Sequence, residues 1–81
     1  MLRARAGDKA ALEQLVIDNA GLVRSIAVGF RDRGTDMEDL MQIGTIGMIK
    51  AIRSFDTARG TAFSTYAVPL IVGEIRRHFR D

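Results

Sequence analysis

Residues 37–55 read Met37-Glu-Asp-Leu-Met-Gln-Ile-Gly-Thr-Ile-Gly-Met-Ile-Lys-Ala-Ile-Arg-Ser-Phe55, and their periodicity decides the fold. At about 100° per residue, Met37, Leu40, Met41, Gly44, Gly47, Met48, Ala51, Ile52 and Phe55 share one broad stripe, the core face of a helix. Gly44 and Gly47 each cost a helix roughly 1 kcal/mol against alanine, so both predict the close approach of a neighbouring helix. The opposite face carries Glu38, Asp39, Gln42 and Arg53, but also Ile43, Ile46 and Ile49. Isoleucines among acids and an amide leave two readings open: cover by another helix of a small bundle, or a surface for a partner protein.

Working outward, Thr35-Asp36-Met37-Glu38 has the Ser/Thr-x-x-Glu pattern of a capping box and is expected to open this helix. Gly34 before it is a left-handed stop for whatever precedes. Upstream, Asp8 can cap a helix with Ala11, Leu12, Leu15 and Val16 at helical spacing. Asn19 can cap a second carrying Leu22, Val23, Ile26, Ala27 and Phe30, and the two could form one bent helix. Downstream, Phe55 to Gly60 reads as a short loop and a last helix runs from about Ala62 to the end. Pro69 inside it predicts a kink or two abutting pieces. No segment alternates with period two, so the expected fold is all-α, a compact three- to four-helix bundle.

The last helix places Val68, Ile71, Val72, Ile75 and Phe79 inward, with Tyr66, Gly73, Arg76, Arg77 and Arg80 towards the other side. Arginines beside aromatics suit single-stranded nucleic acid, the guanidinium taking phosphate and the ring stacking a base at roughly 1–3 kcal/mol. The same arginines could simply complement the helix macrodipole. Ten of the chain's 12 basic residues are arginine, the side chain suited to phosphate forks, although the net charge is only +2.

With 81 residues the chain is one domain, and its composition is globular, 47% hydrophobic and 27% charged. It has no cysteine and one histidine, His78, so neither a disulfide scaffold nor a cysteine or histidine metal site is expected. Asp36, Glu38 and Asp39 lack the alternating ligands and central glycine of a calcium loop. There is no phosphate-loop motif and no Ser-His-Asp spacing, so neither catalysis nor a cofactor is expected. No apolar run approaches the roughly 20 residues that span a bilayer, and no membrane partner is expected.

Two stretches carry a family resemblance. Glu38 to Asp56 resembles the Asp-Leu-x-Gln-x-Gly-x-x-Gly-Leu-x-x-Ala-x-x-x-Phe-Asp signature of region two of the bacterial sigma factors, and Phe63-Ser-Thr-Tyr-Ala67 matches that family's Phe-Ser-Thr-Tyr-Ala. Asn19 with Leu22-Val23 fits the Asn-x-x-Leu-Val of its earlier helix. The stretch Tyr66-Ala-Val-Pro-Leu-Ile-Val-Gly-Glu-Ile-Arg-Arg77 is similar to that of the forespore-type sporulation factors. Where housekeeping factors have a tryptophan pair this chain has Pro69 and Leu70, and their promoter-reading Gln and Thr are replaced by Gly73 and Arg76.

The resemblance implies a cytoplasmic transcription initiation factor domain with two partners, core RNA polymerase and promoter DNA. Docking on the clamp coiled coil of the largest polymerase subunit would use Asp39, Gln42, Ile43, Thr45, Ile46 and Ile49, with Ile43 standing where housekeeping factors have an acid. Capture of flipped non-template bases of the minus-ten element would use Phe55, Arg59, Thr61, Thr65 and Tyr66 for one base and Asn19 for another. Thr61 replaces an aromatic of the housekeeping pattern. Arg76, Arg77 and Arg80 would hold duplex or fork phosphates, making binding salt-sensitive. An anti-sigma factor is a further candidate partner. The rival readings are a stand-alone helical DNA-binding regulator and an interaction module that binds an anti-sigma factor alone. Because family members continue into further DNA-binding regions, residues 1–81 are read as a domain of a longer chain, expected to bind DNA weakly by itself.

Overall fold

Glycine at position 47 lets two helix backbones touch, glycine at position 44 makes room for side chains of both neighbouring helices, and the bundle is arranged around these contacts. The computed structural model describes residues 8–56 and 60–80. Among the described residues there are four helices and no strand: α1 (Lys9–Asp18), α2 (Ala20–Val28), α3 (Met37–Ser54) and α4 (Phe63–Arg80). A Cβ added at Gly47 would lie 2.7 Å from the Ile71 Cα and 2.8 Å from the Leu70 carbonyl oxygen, and one at Gly44 would lie 2.7 Å from the Val23 Cγ1. Gly44 also lies against Ile75, so numbers fall on α4 as they rise on α3 and the two helices run antiparallel. They share the largest contact in the molecule.

The core follows from the apolar stripe. Leu40, Met48, Ala51 and Ile52 of α3 meet Ala67, Ile71 and Ile75 of α4 and Val23 and Ala27 of α2, all essentially without solvent exposure. Helix α1 buries no residue fully and lays Ala11, Leu12, Leu15 and Val16 against this core as a half-buried outer layer. It starts as the sequence implies, with the Asp8 carboxylate accepting from the Ala11 amide at 3.0 Å.

Four local expectations are corrected. Asn19 stands at the junction of α1 and α2 but does not cap α2 with its side chain. Its backbone is not in the extended conformation that aims a capping oxygen forward (φ −106°, ψ 12°), and its Nδ2 instead donates to the Leu15 carbonyl at 2.8 Å, closing the end of α1. Helix α2 stops at Val28, earlier than Gly34, because i→i+3 bonds from Gly29, Phe30 and Arg31 tighten the turn. Left-handed Asp32 (φ 68°) and Gly34 (φ 90°) then redirect the chain.

The capping box does not form. Asp36 is the N-cap residue and makes no side-chain cap bond, while Thr35 Oγ1 pairs with His78 Nε2 at 3.2 Å, tying the α2–α3 turn to the end of α4. Of the two outcomes expected at Pro69, a kink or two abutting pieces, the second does not occur: the last helix is continuous from Phe63 to Arg80. Pro69 and Thr65, whose carbonyl loses its helical partner to the proline, are both exposed, so solvent can satisfy that carbonyl.

The glycine contact makes a stability prediction with opposite signs at two sites. Gly47→Ala raises helix propensity but drives a methyl into the α4 backbone, and is expected to destabilise by about 1–3 kcal/mol. Gly73→Ala meets nothing within 4 Å and is expected to stabilise by up to about 1 kcal/mol. Urea unfolding of both variants followed by circular dichroism checks this.

Candidate nucleic-acid interface

Where α3 ends and α4 begins, the two quoted motifs come together. Ser54, Phe55, Asp56, Thr61 and Tyr66 line a cavity of about 160 Å³. Phe55 is buried, with its ring edge-on to Phe63 at 5.3 Å and tilted against Tyr66 at 5.4 Å. These ring pairs prefer such non-parallel arrangements and fix one another's orientation.

The hydroxyls on the rim have assignable roles. Ser54 Oγ donates to the Lys50 carbonyl at 2.8 Å and lies 2.6 Å from the Tyr66 hydroxyl. A serine has one hydroxyl proton, so the tyrosine is the donor in the shared bond. The phenol is thereby anchored to the end of α3 while its oxygen keeps lone pairs able to accept from a ligand N–H.

The other residues expected at a base site are distributed differently. Thr65 is exposed on α4 and is not among the residues lining the cavity, and Asn19 is occupied with the end of α1. Arg59 and the Arg80 side chain lie outside the described residues. Ser54 and Asp56 belong to the cavity although neither was expected there. Asp56 sits in the Phe-Asp pair that closes the first motif, which could have marked it; a lone serine at a helix end gives no such signal.

The arginines of α4 are not equivalent. Arg77 is held by Glu74 at 2.8 Å, and Glu74 also accepts from Lys50 of α3. The Lys50 hydrogen bond is the main cause that holds the Glu74 carboxyl below its ordinary range; burial opposes it, and the positive charges of Arg77 and Lys50 add to it. Arg76 is exposed and faces a different cleft, shared with Phe79 and the α2–α3 turn.

The outer face of α3 separates by exposure. Asp39, Gln42 and Ile46 are exposed and Ile49 half-buried, at the i, i+3, i+7, i+10 spacing of a single stripe. Ile46, 48% exposed, is the most open large apolar residue of this helix. Ile43 packs partly against the core, and Thr45 is half-buried with its hydroxyl donating to the Met41 carbonyl at 2.7 Å. Among the described residues, no helix covers Ile46.

A family model described as Sigma-70 region 2 matches residues 15–81. The chain belongs to the sigma-70 region 2 family. Among curated relatives it is 46% identical to the RNA polymerase sigma-G factor of Clostridium acetobutylicum over 81 residues, all of this chain and 32% of that protein. It is 51% identical to the sigma-G factor of Bacillus subtilis over 75 residues, 93% of this chain and 29% of that protein. It is 54% identical to the sigma-F factor of Kitasatospora aureofaciens over 67 residues, 83% of this chain and 23% of that protein. The chain thus spans about a third or less of the length of these relatives. Sigma-G and sigma-F factors are sporulation sigma factors, in keeping with the resemblance read from Tyr66 to Arg77. No helix among the described residues of this sigma-70 region 2 domain is long and apolar enough to cross a membrane.

The Lys50–Glu74–Arg77 group predicts a pH effect. A carboxyl whose folded-state pKa is lowered contributes stability above its unfolded pKa and loses it as pH falls through the folded value. Glu74→Gln is therefore expected to cost at most about 1 kcal/mol at neutral pH, the scale of a pair with an exposed partner. The wild-type advantage should close as pH is lowered below the carboxylate range. Thermal melts of both proteins across acid pH test this.

Proposed function

We propose that this domain acts in transcription initiation by docking on core RNA polymerase through the outer face of α3 and by holding an unpaired promoter base at the junction of α3 and α4. The observation that carries the second half is the cavity itself: the two family motifs meet there, and an anchored Tyr66 presents both a ring and an acceptor oxygen. An unpaired base offers a flat face to the ring and amino protons to the oxygen. Extruding a base from a duplex costs a few kcal/mol, and stacking on one aromatic returns roughly 1–3 kcal/mol. One cavity does not melt a duplex, so phosphate contacts along α4 must supply the remainder.

The first half rests on the stripe Asp39, Gln42, Ile46 and Ile49. An exposed isoleucine between an amide and an acid suits a partner helix that offers apolar contact with a basic rim. In this proposal that partner is the clamp coiled coil of the largest polymerase subunit, as the family resemblance implies. In this reading Ile43 and Thr45 support the surface from beneath more than they touch the partner, and Arg76 and Arg77 lie towards the duplex.

Two measurements test the parts separately. In a pull-down with the isolated clamp coiled coil, Gln42→Ala and Ile46→Glu are expected to lose binding with helicity unchanged. Binding retained by both variants would sink the docking assignment, and a stand-alone DNA regulator would need no coiled coil at all. In fluorescence anisotropy with single-stranded minus-ten DNA, Tyr66→Ala is expected to weaken binding about 5- to 150-fold, the equivalent of the stacking energy of one base. Affinity equal to wild type would refute base capture by Tyr66.

A further inference from the structure

One line of side chains on α3 faces directly away from the core. Asp39, Ile46 and Arg53 stand seven residues apart, so each is offset from the next by only about 20° around the helix. All three are exposed, and Gln42 and Ile49 flank the line on one side. Among the described residues neither Asp39 nor Arg53 has a side-chain hydrogen bond or an ion-pair partner. They cannot serve each other either. Each lies about 10 Å along the axis from Ile46, on opposite sides, which leaves them roughly 21 Å apart within one chain.

A second copy laid antiparallel along the same line resolves this geometry. With Ile46 of one copy on Ile46 of the other, each Asp39 comes opposite the other copy's Arg53, and two-fold symmetry makes that pairing occur twice. Gln42 and Ile49 lie on one side of the line at nearly equal distances from Ile46, so they meet across the pair and extend the apolar centre. A parallel pairing in register would set like charges against each other. The slow drift of a seven-residue line also suits helices that cross at about 20° with interlocking side chains.

We propose that this face of α3 binds a second copy of the chain as an antiparallel, two-fold symmetric helix pair centred on Ile46. One helix face from each copy falls below the roughly 1,200 Å² of a stable interface, so the pair is weak and forms at high protein concentration. It covers the stripe assigned above to core polymerase, so a paired domain is withheld from docking. That consequence rests on the docking reading; the pairing itself does not. The competing role for the two charges is local. Asp39 is in the first turn of α3 and Arg53 in the last, where each complements the helix dipole. That role requires no symmetry about Ile46, and a charge swap distinguishes the two.

The test is sedimentation equilibrium at low salt, with protein from roughly 10 µM to 1 mM, the range of weak association. Wild type is expected to show a monomer–dimer equilibrium that shifts to monomer as salt is raised. Arg53→Glu sets acid against acid at both ends of the pair and is expected to weaken it by about tenfold or more. Ile46→Glu should abolish it. Exchanging the charges, Asp39→Arg together with Arg53→Glu, should restore the dimer although it opposes the helix dipole. The substituted positions are exposed, and circular dichroism checks that each variant folds. Isolated clamp coiled coil titrated into the wild-type dimer should convert it to one-to-one complexes.

Wild type that stays monomeric up to about 1 mM, or a dimer untouched by Ile46→Glu and Arg53→Glu, would overturn the inference and leave polymerase docking standing. A charge-swapped variant that dimerises no better than Arg53→Glu would also overturn it and return both charges to the helix dipole. A dimer that obeys the charge swap but ignores the coiled coil would support the pair and remove the docking reading.

Discussion

Close approach of the α3 backbone at Gly47 to the α4 backbone at Leu70 and Ile71 is the constraint from which the remaining geometry follows. Any side chain at position 47 would collide with main-chain atoms of Leu70 and Ile71, which cannot swing aside as a side chain can. The two helices are therefore fixed in register as well as in distance. That register places Ser54 opposite Tyr66 and Lys50 opposite Glu74, one pair at the cavity and the other midway along the interface. A residue-long slip of α4 would break both at once. Two glycines in one helix lower its intrinsic propensity, so the helix depends on tertiary packing, and the same packing aligns the site.

The register also sorts the basic residues by what they can do. Arg77 already has a carboxylate partner, and drawing it to a phosphate would leave Glu74 with Lys50 alone. Arg76, one position earlier, points a different way and shares its cleft with Arg33. A run of arginines in sequence therefore becomes two separate electrostatic elements in space. The net charge of +2 says little about either, because what matters to a polyanion is where unpaired guanidiniums converge.

Much of this was legible in the amino-acid order, and what escaped has a common cause. The apolar stripe of α3, the meaning of its glycines and the inward Ile71 and Ile75 all follow from helical period. Periodicity is a property of one segment, so it reports faces well. It cannot report which partner a polar group chooses when a bundle offers several. Thr35 could have capped its own helix, yet it pairs with His78, 43 residues away. Asn19 could have capped α2, yet it closes α1. Ile43 looked equivalent to Ile46 until the neighbouring helices left one half-covered and the other open. Ser54 at the cavity and Arg33 at the cleft lie at element ends and turns, where no repeat marks them.

The anchoring of Tyr66 bears on the proposed capture of a base by so small a domain. A free tyrosine would have to be ordered when the ligand arrives, and that cost would subtract from a stacking gain of only roughly 1–3 kcal/mol. Here the ring is already fixed by Phe55 and its hydroxyl by Ser54, whose own proton is committed to the Lys50 carbonyl. Folding has met the ordering cost before any ligand is present. The chain of support runs from the Gly47 contact, through the register of α3 and α4, to Ser54 and then to the phenol. Under the proposed base capture, a substitution buried at the helix crossing should therefore disturb binding without touching the cavity, and its effect should follow the position of Tyr66 more closely than the global stability of the bundle.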